Sequence, residues 1–341
     1  MRYILILFLL FLPLVSSANK NRLYLFNWTE YMPDKIISAF EKETGIDVIY
    51  STYDSNEVMY SKIKILGGKG YDIVFPSTYY ISKMRKQNLL HKIDLSKISN
   101  FKYLNKDLLY KSFDPENRYS IPYLWGTTGI GCNSKYVNTD EIKSWNDLWK
   151  KKYKGKVLLT DDLREVFTVG LRVLGYSGND QNRDHINEAY EQLKRLLPNV
   201  KLFASDSPKQ PFLNNEVYLG MLWNGEAYMA SRENPYIKYI YPEEGAIIWV
   251  DSMAIPSKAK NIENAYRFID FVLRPEISKA ISEELGYATA NTESLKIMND
   301  TIRNNKIIYP DNETIKNGEF QADVGDSILF YENLWERLKI E

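Results

Sequence analysis

The sequence predicts an α/β protein of two lobes with a hinge and a central cleft, and three observations predict it. Its 341 residues are more than one ordinary core organises. Apolar strand-like runs alternate with helical stretches over residues 23–84 and again over 156–222, the signature of largely parallel sheets. The chain also passes between these regions twice, at Gly126–Gly131 and at Asp251–Pro256, and two crossings imply a hinge. The predicted limits are 19–128 with about 252–310 for lobe one, and 129–251 with about 311–341 for lobe two.

Taken in order, residues 1–18 read as a cleavable secretory signal. Arg2 gives a basic start, Ile4–Leu12 is too short to span a bilayer, and Ser16-Ser17-Ala18 offers small residues for cleavage. No cysteine follows it, which argues against a lipid anchor and for a product free in the periplasm of a double-membrane host. Leu23–Phe26 is a strand, and Pro33 opens a helix with Ile36, Ile37 and Phe40 inward, stopped by Gly45. Asp47–Tyr53 is a second strand. Ser55 caps a helix with Val58, Met59, Ile63 and Leu66 expected inside, ended by Gly67-Gly68. Tyr71–Phe75 is a third strand, followed by Pro76-Ser77-Thr78-Tyr79 and a helix through Met84.

A looser region over 100–118 leads to Tyr119–Trp125 and a glycine-rich crossing, whose spacing matches neither a dinucleotide fingerprint nor a P-loop. The second lobe then follows with strands at Lys156–Leu159, Val200–Phe203 and Val217–Leu222, and helices at Leu163–Leu174 and His185–Leu196. Trp223-Asn224-Gly225-Glu226 opens a short helix. The return run ends in Ile247–Pro256. Ala265, Phe268, Ile269 and Val272 mark one later helix face, Gly286-Tyr287 ends another helix, and Ile328, Leu329, Leu334 and Leu338 mark the closing one.

Composition narrows the function. Hydrophobic residues make up 44% and charged residues 26%, proportions of a globular protein. Lysine plus arginine equal aspartate plus glutamate at 44 each, and loss of Arg2 with the signal leaves about −1, so nothing favours nucleic acid or acidic membranes. Cys132 is a lone cysteine in an apolar run and reads as a buried thiol. Only two histidines, His91 and His185, and no HExxH or Gly-x-Ser-x-Gly argue against zinc or serine hydrolysis, and no cofactor is expected.

Two groups of residues stand out. In IIWVDSMAIP a core strand runs into Asp251 beside Trp249; the aspartate is either a turn residue leading to Pro256 or a carboxylate kept for a cationic guest. Asp162 and Glu165, three apart at a helix start, read as a capping box, as a glycosidase pair, or as ammonium ligands; a glycosidase needs its carboxyls on opposite sides of the sugar bond. Trp28, Tyr31, Tyr79, Trp223, Trp249 and Tyr287 fall at element ends rather than along a helical stripe. Singly each fits a core; together with the acids they make a box suited to an aliphatic polycation.

The motifs FNWTEYMP, YSTYDSNEVMYSKI, YDIVFPSTYYISKM, YSIPYLWGTTGIG, LLTDDLREVF, LGMLWNGEAY and WVDSMAIP resemble the spermidine/putrescine-binding family of bacterial polyamine ABC importers, over essentially the whole mature chain. The resemblance implies a type II periplasmic binding fold that closes over one polyamine and delivers it to a membrane permease and its ATPase. It implies that Trp28, Tyr31, Trp223, Trp249 and Tyr287 line the methylene chain and that Asp162, Glu165 and Asp251 pair with the amines. Thr29, Ser77, Tyr79 and, in GEFQADVG, Gln321 are expected to add polar contacts. Leu163, where the family often has a smaller residue, is a mild departure, as is the missing lipid-attachment cysteine. Two other classes are weighed against this reading: a surface adhesin or signalling partner with a vestigial ligand site, and a carboxylate-based hydrolase.

Overall fold

The computed structural model describes residues 21–341; the expected signal segment lies outside the described residues. The chain begins with β1 (Arg22–Trp28), α1 (Asp34–Thr44), β2 (Asp47–Tyr53), α2 (Asn56–Ile65), β3 (Ile73–Val74) and α3 (Thr78–Lys86). The strands form a parallel three-stranded sheet in the order β2-β1-β3, as the alternation predicts. Gly45 closes α1 in the left-handed conformation at φ 68°, and the Ser55 hydroxyl caps α2 by accepting the Val58 N–H. The inner face of α2 differs from the expectation. Met59 and Ile63 are buried one turn apart, whereas Val58 lies about 100° from Met59 and is exposed, and Leu66, though in phase with the buried pair, is the C-cap residue past the end of α2 and is exposed there.

A long strand, β4 (Ile121–Asn133), runs unbroken through the glycines rather than pausing at them. Next come β5 (Val157–Leu159), α4 (Leu163–Arg172), α5 (Arg183–Leu196), β6 (Val200–Phe203) and α6 (Gln210–Leu213), then β7 (Leu219–Trp223), α7 (Asn224–Glu233), β8 (Ile237–Ile240) and β9 (Ile247–Met253). These strands build a mixed sheet in which β5 pairs parallel with β6 and β7, while β4 is antiparallel to β7, β8 and β9. The remaining elements are α8 (Ile262–Val272), α9 (Pro275–Leu285), β10 (Ala288–Thr289), α10 (Thr292–Ile297), α11 (Asp300–Arg303), α12 (Asn312–Asn317), β11 (Glu319–Phe320) and α13 (Ile328–Ile340). Along α13 the buried residues are Tyr331, Leu334 and Leu338; Leu329 is two residues out of that phase and 69% exposed.

The cores are separate. One gathers β1, α1, α8 and α9 around Leu25, Phe40 and Phe268, with a satellite cluster around Phe26, Met59 and Tyr80. Another gathers β5, α4, α5 and α13 around Val157, Phe167, Leu193 and Leu334. β4 and β9 serve both: Ile121 and Val250 belong to the first core, Ile130 and Ile247 to the second. The pair of antiparallel strands thus joins the two lobes, and the cleft lies where the ends of β1, β3, β5 and β7 meet across it. Among the described residues no helix is long and apolar enough to cross a membrane, and no cluster of histidine, cysteine and acidic residues could hold a metal ion.

Candidate functional site

Strand ends deliver the site residues. β1 ends at Trp28, β7 at Trp223, and in β9 Trp249 and Asp251 are two apart, so strand pleating turns both to the same face. Opposite Trp249 in the ladder stands Gly126. A Cβ there would come within 2.5 Å of the Trp249 indole, so the glycine leaves room for the ring to lie on the backbone. Gly225 serves Tyr287 in the same way, since any Cβ would collide with the phenol ring.

These residues line a cavity between the lobes of about 650 Å³, counting its opening to solvent. Every residue expected at the site lines it except Tyr79. Asp251 sits deepest in hydrogen bonds: the Tyr31 hydroxyl donates to Oδ2 at 2.8 Å and the Ser77 hydroxyl to Oδ1 at 2.6 Å. Burial nevertheless pushes its carboxyl up to about 7, against the pull of Ser77 and Tyr31 and with a further push from Asp162. Asp162 is the N-cap of α4 and accepts the Glu165 N–H at 2.9 Å, so the capping reading holds for a carboxylate that also lines the cavity. Burial raises its carboxyl too.

Glu165 is held from two sides. The Trp223 indole N–H reaches both carboxylate oxygens at 3.1 Å, and the Thr128 hydroxyl donates to Oε1. Thr128 in turn accepts the Trp249 indole N–H at 3.2 Å. Burial, then the neighbouring Asp162 charge, push Glu165 up to about 8. Among the described residues, no lysine or arginine forms an ion pair with Asp162, Glu165 or Asp251. These carboxyls are therefore desolvated without a direct ion-pair partner, although the Arg164 charge acts on Asp162 from a distance, an arrangement that favours either protons or an incoming cation.

The rings form the walls. Trp28 and Trp223 meet edge to face across the cleft at 6.1 Å between centroids, while Tyr287 packs edge to face on both Tyr31, at 5.3 Å, and Trp249, at 5.5 Å. Trp28 is anchored by its indole N–H to the Phe75 carbonyl at 2.9 Å. Thr29 faces the cavity beside Tyr53, and the Gln321 Nε2 is buried at the cavity wall with no hydrogen-bond partner among the described residues.

Tyr79 is placed otherwise. It is the second residue of α3, and the helical turn carries it away from Ser77 into the first lobe's satellite core, against Tyr80 and 5.3 Å from the Arg164 guanidinium. It backs the site near Asp162 rather than lining the cavity. Sequence reasoning passed over Glu30 and Glu226, which do line it. Both lie inside motifs singled out for their neighbours, NWTEY and WNGEAY, and Glu226 in the first turn of α7 looks like an ordinary helix-start acid.

Two α/β lobes around a shared cavity walled by rings and acids are the architecture of a protein that binds a small solute. The chain belongs to the bacterial extracellular solute-binding protein family, whose model matches residues 35–309. It is 51% identical over 323 residues to the spermidine/putrescine-binding periplasmic protein of Escherichia coli (strain K12), covering 95% of this chain and 93% of that one. A solved structure from Listeria monocytogenes is 40% identical with a TM-score of 0.90, covering 94% of this chain and 99% of that chain. The spermidine/putrescine ABC transporter substrate-binding protein from Streptococcus pneumoniae strain Canada MDR_19A is 38% identical with a TM-score of 0.79, again over 94% and 99% of the two chains. The fold is that of the periplasmic binding proteins.

Proposed function

We propose that this protein captures a polyamine, spermidine in preference to putrescine, and hands it to an ABC importer, without catalysing a reaction. One observation carries the reading: Asp162, Glu165 and Asp251 are buried in one cavity, among the described residues with no cationic side chain in an ion pair with them, between indole and phenol rings. An ammonium entering such a cleft loses its hydration and regains it only from carboxylates and π faces. Three acids suit the three charges of spermidine, and the rings suit its methylenes, each worth about 0.8 kcal/mol when buried. Set against association and closure costs, a net of about −8 kcal/mol, micromolar binding, is the expected order.

In this proposal the segment 1–18 directs export and is removed, the mature protein works in the periplasm, and its partners are the permease and the ATPase of the importer. The lobe limits belong to the proposal as well: 19–128 with about 252–310, and 129–251 with about 311–341, a division supported by the passage of β4 and β9 between the two cores. Calorimetric titration with spermidine, putrescine and an uncharged sugar tests the function. Saturable heat with the polyamines alone is expected, and no heat with either polyamine removes the reading.

A further inference from the structure

The cavity that holds Asp162, Glu165 and Asp251 is also walled by Glu30 and Glu226, and between these two lies a lysine. Lys209 Nζ is 2.5 Å from Glu30 Oε2 and 3.6 Å from Glu226 Oε2, and the Lys209 backbone N–H donates to Glu226 at 3.3 Å. The side chains of Lys209 and Glu226 are each 7% exposed while that of Glu30 is 52% exposed, so this ammonium has given up water for one buried and one half-open carboxylate. Its position is set by packing. Phe212, three residues on, is wholly buried with Leu222 and Ala227, which ties the Lys209 turn to the β7–α7 junction that carries Glu226. Glu30 comes from the other lobe, in the loop after β1, where it takes a φ of 52°, a conformation uncommon for a non-glycine residue.

An ammonium held by two carboxylates of the cavity wall is the same chemical object as an amine of the ligand. We propose that Lys209 is a specificity-determining residue: it fills the amine position between Glu30 and Glu226 from the protein side and so limits how many ammonium groups a bound polyamine can place in the cleft. The inference rests on the polyamine reading above. With the lysine present, a diamine or triamine is held by the carboxylates that no lysine pairs, and a longer tetraamine meets a like charge at Glu30 and Glu226. Without it, Glu226 is buried with no counter-charge and takes its cation from the ligand.

The test is calorimetric titration of the mature wild type, Lys209→Met and Lys209→Arg with putrescine, spermidine and spermine, with Lys209→Gln substituted if the methionine variant does not fold. Wild type and Lys209→Arg are expected to favour spermidine over spermine, and Lys209→Met to shift that ratio toward spermine by about tenfold or more. A ratio within about threefold of wild type, or an equal loss for all three amines, overturns the inference and leaves the polyamine reading standing. A Lys209→Arg variant that behaves like Lys209→Met also overturns it, because the charge would not be what matters. A wild type that binds none of the three amines overturns the underlying reading instead.

Discussion

Asp251 concentrates the energetics of the site in one side chain. Its two hydrogen-bond donors, Tyr31 and Ser77, are neutral, so they orient the carboxylate without discharging it. Asp251→Asn keeps the shape and removes the charge, leaving a bound ammonium unpaired; the dissociation constant for spermidine should rise by about tenfold or more, measured by calorimetry. An unchanged affinity would mean that the ligand lies elsewhere. Acidity gives a second expectation. In the free protein Asp251 and Glu165 are raised to about 7 and about 8, while a bound ammonium favours their ionised forms, so binding at neutral pH should release protons. Affinity should therefore fall as pH drops from 8 toward 5, and binding heats at pH 7 should differ between buffers of different ionisation enthalpy.

The same shifts have the opposite sign for stability of the ligand-free chain. Because the folded carboxyls hold protons more tightly than the unfolded ones near 4, the native state binds more protons across that window and loses stability as pH rises from about 4 to about 8. The melting temperature gained by Asp251→Asn over wild type, without ligand, should accordingly be larger at pH 8 than at pH 5.

At the scale of elements, register and helix ends decide what each residue can do. Pairing β4 with β9 sets Gly126 opposite Trp249, and Gly126→Ala puts a methyl group where the indole lies. That variant should weaken spermidine binding and shift tryptophan fluorescence, although it touches no acid. Gly45 provides the contrasting case. It closes α1 at φ 68° with open space around it, so Gly45→Ala should cost about 1 kcal/mol of stability in denaturant unfolding and leave affinity unchanged. Glycines of the site and glycines of the scaffold are thereby separable by experiment.

For the whole molecule, the lobes touch through few strong contacts besides the site. Lys86 pairs with Asp323 at 2.5 Å and Lys83 with Glu332 at 3.3 Å, joining α3 to the segment around α13, and each pair keeps one partner well exposed to water, Lys86 and Glu332. Surface pairs of this kind contribute about 0–1 kcal/mol each, and together with the Glu30–Lys209 pair they leave closure to be completed by contacts that the ligand makes with both lobes. Spermidine should reduce the radius of gyration seen by solution X-ray scattering, and Lys86→Ala should change its affinity by no more than about fivefold. A scattering profile indifferent to saturating spermidine would argue against a hinge.

The sequence by itself determined the two α/β lobes, their connecting strands and eleven of the nineteen residues that line the cavity. Those features are written in local pattern: alternation of strand and helix, aromatic and acidic residues at strand ends, and motifs long enough to be matched to a family. Tertiary structure alone decided that Tyr79 turns into the core beneath the cleft, that Val58, Leu66 and Leu329 face outward, and that Lys209 reaches between Glu30 and Glu226. The physical reason is range. Periodicity reports which face of its own element a residue occupies, whereas the partner of a buried charge comes from a chain position far away, here 179 residues from Glu30.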